Sequence, residues 1–327
     1  MKAISVNLEN NNPLLIWEDV PDPVLSIDDV RVDVRATAVN RADLLQAQGL
    51  YPPPPGVSDI LGLEIAGIVA AVGEGVKEWK IGDRILALLP GGGYAEQAVV
   101  PYQMLLPLPA EWSFAQGAAI PEVWLTAFLN LFIEGKLQSA ETVLLHAGGS
   151  GVGTAGTQMA HAAGSTVYVT AGTEPKLAAC RELGASLAIN YKQQDFLEAV
   201  DKATDGKGVD LILDPIGGAY IDKNLQALAE NGRLVNIGLL GGATGEMNMG
   251  LVLGKSLKVI GSRLRSRPLA EKIDITRQFR ERFWNLLESG KLQPVIDTIF
   301  PIQRAQDAHD HVRQNLNTGK VILEIES

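Results

Sequence analysis

The chain has 327 residues, 28 Lys+Arg against 38 Asp+Glu for a formal net charge of −10, and 46% hydrophobic residues. That length suits about two domains of roughly 100–200 residues each. The apolar share excludes global disorder, and the acidic balance weighs against nucleic acid as principal ligand. The single Cys excludes an internal disulfide and any zinc site built from several thiolates.

The opening MKAISVNLENNN lacks the apolar core of a secretory signal, and no stretch reaches the roughly 18 uncharged apolar residues of a membrane span. A soluble cytoplasmic protein is the expectation. Residues 1 to about 120 carry short alternating segments broken by Gly and Pro (VRVDVRATAV, IAGIVAAVG, GDRILALL, YAEQAVVP), a mainly β pattern. The run Pro52–Pro55 reads as a stiff loop wall.

From about residue 122 the texture changes. Six apolar runs alternate with helical stretches such as 153–163 and 176–183: TVLLHA (142–147), TVYVTA (166–171), SLAINY (186–191), VDLILDPIG (209–217), RLVNIG (233–238) and LKVIGSRL (257–264). Continuous apolar strands are buried on both faces, so the class is α/β, a doubly wound parallel sheet of six strands in the Rossmann order 3-2-1-4-5-6. A helix over 269–289, IDTIFP, a helix over 304–316 and a last strand VILEIES follow. That tail is expected to fold back on the N-terminal β domain, giving domains of 1–121 with 266–327, and 122–265. The binding site is then expected in the cleft between them.

The strongest local signal is His146-Ala147-Gly148-Gly149-Ser150-Gly151-Val152-Gly153, between a strand and a helix. Small residues such as Gly149, Ser150, Gly151 and Val152 let the backbone approach a pyrophosphate, and the helix N-terminus favours its charge. An NAD site places Asp or Glu at the tip of the second strand to hold the ribose hydroxyl. Here that tip is Ala171-Gly172-Thr173, leaving room for a 2′-phosphate, with Lys176 to supply charge and Tyr191 to add a hydroxyl. NADPH is therefore the expected cofactor, although Lys176 also reads as an ordinary solvated lysine. Ile216-Gly217, Leu239-Leu240 and Ser262-Arg263-Leu264 end the fourth, fifth and sixth strands, where such sheets bind ligands. Cys180 reads as packing. His309 and His311, two apart on a helix, cannot share a metal ion, and His146 and His161 read as structural.

The segments VNRADLLQAQGLYP, LGLEIAGIVAAVGEGV, GDRILALLPGGGYAEQAVVP and HAGGSGVGTAGTQMA resemble the zinc-free quinone oxidoreductases of the medium-chain dehydrogenase/reductase superfamily. DLILDPIGG, SRLRSR and NLNTGKVILEI are most similar to its tumour-suppressor-inducible NADPH:quinone oxidoreductase subgroup. The resemblance covers the whole chain and implies that the β domain is a GroES-like catalytic domain. Where the zinc alcohol dehydrogenases carry ligand Cys and His, this chain has Asn40 and Leu63, and their third ligand falls near Pro121-Glu122, so no metal is expected. The resemblance also implies that Asn40 and Tyr51 face the nicotinamide, that Val123 and Thr126 lie beneath it, and that Asn315 reaches the cofactor. Tyr51 reads either as a proton donor or as a packing aromatic beside the prolines. Asp43 and Glu64 are expected to fix loops by hydrogen bonds. The implied activity is hydride transfer from NADPH to a quinone by a homodimer joined through the sixth strands. An enone or enoyl-thioester reductase and a non-catalytic NADPH-binding protein are the alternatives.

Overall fold

The computed structural model describes residues 1–9 and 12–326; Asn10 and Asn11 in the opening segment, and Ser327 at the end of the expected last strand, lie outside the described residues. The chain divides into two units, one of Met1–Val123, Arg265–Glu288 and Gln293–Ser327, the other of Trp124–Leu264 and Ser289–Leu292.

The first unit begins with β1 (Lys2–Glu9) antiparallel to β2 (Asn12–Asp19), then β3 (Asp29–Val39), α1 (Arg41–Ala47), β4 (Glu64–Val72), β5 (Arg84–Leu88), β6 (Gln97–Pro101), β7 (Leu105–Pro107) and α2 (Phe114–Ala118). Alternation explains β3: Val30, Val32, Val34 and Ala36 are buried, while the charged residues between them remain partly exposed. α3 (Pro121–Phe128) opens in this unit.

The second unit continues with β8 (Thr142–Leu145), α4 (Gly151–Ala162), β9 (Thr166–Ala171), α5 (Glu174–Glu182), β10 (Leu187–Asn190), α6 (Phe196–Ala203), β11 (Val209–Asp214), α7 (Ile221–Ala227), β12 (Leu228–Asn236), α8 (Met249–Gly254) and β13 (Lys258–Gly261). Its parallel sheet has the order β10-β9-β8-β11-β12-β13, which is 3-2-1-4-5-6. Both faces are covered. Val143, Leu145, Val167, Val169, Leu211 and Leu213 enter one core; Leu144, Tyr168 and Ile212, at the intervening positions, enter the other. Because the strands are parallel, all six C-terminal ends lie along one edge.

The chain then returns to the first unit with α9 (Leu269–Glu288), β14 (Ile296–Pro301), α10 (Ala305–Arg313) and β15 (Lys320–Glu324). β15 pairs with β3, Val321 opposite Val39, so the sheet reads β14-β15-β3-β4-β5-β7 with β6 also on β3.

Several boundaries differ from the sequence expectation for identifiable reasons. α4 starts at Gly151, two residues early, because Ser150 is its cap. β11 ends at Asp214, since Pro215 has no N–H for the ladder. β13 ends at Gly261, short of Leu264. α10 stops at Arg313, short of Leu316, as Asn315 takes a left-handed φ of 56°. No helix among the described residues is long and apolar enough to cross a membrane.

Candidate functional site

The turn after β8 is made of small residues because nothing larger fits. A Cβ on Gly148 would stand 2.7 Å from Val169 Cβ and 3.1 Å from Cys180 Sγ; one on Gly153 would stand 2.4 Å from the Ala147 carbonyl oxygen. The Cys180 thiol is buried and pushed up to about 11, which leaves it a packing group. Ser150 Oγ accepts the Gly153 N–H at 3.0 Å. The N–H groups of Gly151 and Val152 lie ahead of the intrahelical ladder, at the positive end of α4. Exposed donors, a fixed dipole and close backbone approach suit a pyrophosphate.

Beside the turn, the tip of β9 is crowded by polar side chains. A Cβ on Gly172 would stand 2.8 Å from the Tyr191 hydroxyl and 3.1 Å from Lys192 Cε, and one on Gly149 would lie 3.0 Å from Lys176 Cδ. Tyr191 is 46% exposed. Thr173 precedes α5 as its N-cap, and Glu174 is engaged by Arg181 at 2.5 Å. The sequence reading named Tyr191 and Lys176 but missed Lys192, whose signal was its place directly after Tyr191 at the end of the third strand.

The remaining strand ends are tied together by Asp214. Its carboxylate accepts the N–H of Ile216 at 2.6 Å, that of Gly217 at 3.1 Å and Asn224 Nδ2 at 3.1 Å. Asn224 Oδ1 lies 2.8 Å from His146 Nε2, while His146 Nδ1 meets Thr170 Oγ1 at 3.0 Å. Burial lowers the His146 pKa and keeps the imidazole neutral inside this network. Ile216-Gly217 and Leu239-Leu240 come together, with Leu240 N–H on the Pro215 carbonyl at 3.1 Å and Gly241 N–H on that of Ile216 at 2.7 Å. Leu239 and Leu240 are exposed. Ser262 is buried with its Oγ unbonded, Arg263 is exposed, and Leu264 is buried. Val123 is buried, and the Thr126 carbonyl accepts Asn130 Nδ2 at 2.7 Å.

In the first unit, three neighbouring strands deliver a buried ionic cluster. Asn40 follows β3, Glu64 opens β4 and Lys320 opens β15. Lys320 Nζ donates to Asn40 Oδ1 at 2.6 Å, Glu64 Oε1 at 2.8 Å and the Val39 carbonyl at 3.2 Å. Asn40 Nδ2 donates to Glu64 Oε1 at 2.7 Å, and the Glu122 N–H to Glu64 Oε2 at 2.8 Å. Asn40 is 8% exposed, Lys320 3% and Glu64 0%. Asp43 accepts the N–H of Asn40 at 2.7 Å and of Gly62 at 3.0 Å; burial raises its carboxyl to about 6. Asp43 and Glu64 do fix loops. Glu122 is pushed up to about 8 by burial and then by the Glu64 charge, with Lys320 and Arg265 opposing.

Sequence reading missed Lys320 in this cluster. The available signal was a cation at the head of an otherwise apolar strand, KVILE. Nearby, Tyr94 Oη lies 3.1 Å from His309 Nε2, and burial lowers His309 to about 3, leaving it neutral. Tyr51 packs under the Arg265 guanidinium, 5.2 Å from ring centroid to Cζ. Asn315 Oδ1 accepts from Arg41 Nη2 at 2.5 Å.

Residues 151–287 match the zinc-binding dehydrogenase family model and residues 26–110 the alcohol dehydrogenase GroES-like domain. The quinone oxidoreductase of Sus scrofa is 32% identical over 310 residues, 94% of this chain and 92% of that protein. The chain belongs to the quinone oxidoreductase-like family of the medium-chain dehydrogenase/reductase superfamily. It is an oxidoreductase of that superfamily. The Escherichia coli quinone oxidoreductase, solved in complex with NADPH, superposes with a TM-score of 0.88 at 28% identity, covering 99% of both chains. The CurK enoyl reductase superposes with 0.87 at 28%, again over 99% of each.

Although one of the matching family models is named for zinc, the donors of this quinone oxidoreductase-like chain do not fit that metal. A catalytic zinc takes three N, S or O ligands and an open position. Asn40 Oδ1 is instead bonded by an ammonium, Leu63 is a buried hydrocarbon, and Lys320 lays a positive charge on the Glu64 carboxylate. Among the described residues no three His, Cys, Asp or Glu side chains are grouped to hold a metal.

Proposed function

We propose that the protein is an NADPH:quinone oxidoreductase that works without zinc. The observation that carries this reading is the β9 tip, where Gly172 is flanked by Tyr191 and Lys192 beside the glycine turn and Lys176. An NAD site would place a carboxylate there; cations and a hydroxyl suit a 2′-phosphate. The solved complex of the Escherichia coli relative with NADPH supports the same choice.

When bound, NADPH supplies a hydride. The chain's part is to bind and orient. The N–H groups of Gly151 and Val152 would hold the pyrophosphate, and Ile216-Gly217, Leu239-Leu240, Ser262 and Arg263, at the ends of the following strands, would supply the rest of the cofactor's binding edge. The Asn40 amide donates to Glu64 Oε1 and, more weakly, to the Ala38 carbonyl, and its oxygen, already bonded by Lys320, keeps a lone pair for the N–H of a carboxamide. Without a metal to polarise a carbonyl, the acceptor must already be electron-poor. A quinone is: hydride and one proton convert it to an aromatic hydroquinone. The Tyr51 hydroxyl is the proposed acceptor-side group, donating a hydrogen bond to the developing oxyanion.

Stopped-flow oxidation of NADPH by ortho- and para-quinones tests this. Turnover with a larger specificity constant for NADPH than for NADH is expected, and no turnover with any quinone overturns the proposal. The likeness to an enoyl reductase motivates a second reading, reduction of a conjugated enone or enoyl-thioester. Crotonyl-thioesters assayed beside quinones decide between them. We also propose a homodimer through β13, an edge strand that among the described residues pairs only with β12 and exposes Val259.

A further inference from the structure

In the cluster Arg263-Leu264-Arg265-Ser266-Arg267 the cofactor reading takes up Arg263 and Leu264 but not the central Arg265, which is buried, only 5% exposed. Each of its three nitrogens donates a hydrogen bond. Arg265 Nε donates to the Pro90 carbonyl at 2.7 Å, Nη2 to Gln46 Oε1 at 2.7 Å and Nη1 to the Tyr51 carbonyl at 3.4 Å. The flat face of the guanidinium lies over the Tyr51 ring, 5.2 Å from its centroid. Gln46 continues the chain of contacts, its Nε2 donating to the Asp59 carbonyl at 2.9 Å.

The segment these bonds surround has little regular structure of its own. It holds Gly49 and Gly56 at left-handed φ, four consecutive prolines without N–H groups, and Tyr51 between them. Arg265 touches Tyr51 twice, at its backbone and at its ring, and through Gln46 reaches the far end of the segment. A lysine could not do this: its ammonium has no planar face to lay on a ring, and its three N–H bonds leave one atom instead of a planar fork of three nitrogens.

We propose that Arg265 is a positioning residue that clamps the 48–60 segment and fixes the Tyr51 ring for work on the acceptor. This rests on the role assigned to Tyr51 above, and the experiment separates the two. The clamp itself is read by hydrogen exchange of amides 48–60 in the full chain, comparing Arg265→Lys with the parent. Loss of a charged hydrogen bond and a cation–π contact predicts exchange faster by about tenfold or more. The control Arg267→Lys, whose partner Glu271 lies on α9, leaves it unchanged. Unchanged exchange in Arg265→Lys overturns the clamp whether or not turnover has been found.

The link to reaction is read from a double-mutant cycle on quinone turnover. Arg265→Lys is expected to lower kcat about tenfold, with KM for NADPH held within about twofold, and to have almost no further effect in a Tyr51→Phe background. Equal losses in both backgrounds overturn positioning through Tyr51. If Tyr51→Phe alone leaves kcat unchanged, the role of Tyr51 fails, and with it the catalytic purpose of the clamp.

Discussion

Replacing Lys320 by Met keeps most of the side-chain volume and removes only the ammonium. Three acceptors then lose their donor: Asn40 Oδ1, Glu64 Oε1 and the Val39 carbonyl. Glu64 retains Asn40 Nδ2 and the Glu122 N–H, but its charge, at 0% exposure, loses the cation bonded to it. Breaking a buried pair by removing one partner costs about 3–5 kcal/mol. At about 2–4 °C per kcal/mol for a unit of this size, the first unit should melt roughly 6–20 °C lower. Calorimetry of Lys320→Met, Glu64→Gln and the double variant provides the assay. Because the penalty is an uncompensated charge, adding Glu64→Gln to Lys320→Met should restore at least about half of the loss. A Lys320→Met variant costing under about 1 kcal/mol, or a double variant no more stable than Lys320→Met, would refute the electrostatic account.

Three further outcomes follow from the geometry. Gly172→Asp sets a carboxylate beside the Tyr191 hydroxyl and Lys192, and should weaken NADPH binding by at least about tenfold while sparing NADH, as read by calorimetric titration. Glu122 stays protonated up to about pH 8 in the folded protein, against an ordinary value near 4.5 unfolded. The folded state therefore binds the extra proton, and stability falls as pH rises across that window, by at most about 1.4 kcal/mol per unit. Glu122→Gln should flatten the dependence; identical melting profiles for both proteins between about pH 5 and 8 would contradict it. Gly153→Ala drives a methyl to 2.4 Å from the Ala147 carbonyl oxygen, which as backbone cannot swing aside, so thermal stability and NADPH affinity should fall together.

Much of the second unit was legible because its signals are local. The unbroken apolar runs could be buried only on both faces, and the alternate positions of β8, β9 and β11 do enter two different cores. Ser150 and its glycines announced the turn. What escaped was long-range. Lys320 and Asn40 stand 280 residues apart in the chain, and nothing within a dozen residues of either marks them as partners. Arg265 stands among the other arginines of SRLRSR with nothing local to single it out, yet it is buried against Tyr51. Lys192 was hidden by the turn that folds it back on Gly172. The end of α10 was misplaced because Asn315 adopts a left-handed conformation that an asparagine permits without announcing.

The pairing of β15 with β3 has a consequence for biosynthesis. The second unit's sheet lies within a continuous stretch, Trp124–Leu264, and can assemble while the ribosome is still adding the tail. The first unit cannot: its sheet waits for β15, which follows the whole of that stretch in the chain, and its ionic centre waits for Lys320. The unit that begins earlier in the chain is thus completed after the other, and a nascent chain stalled before residue 320 would hold Glu64 without Lys320 to meet it.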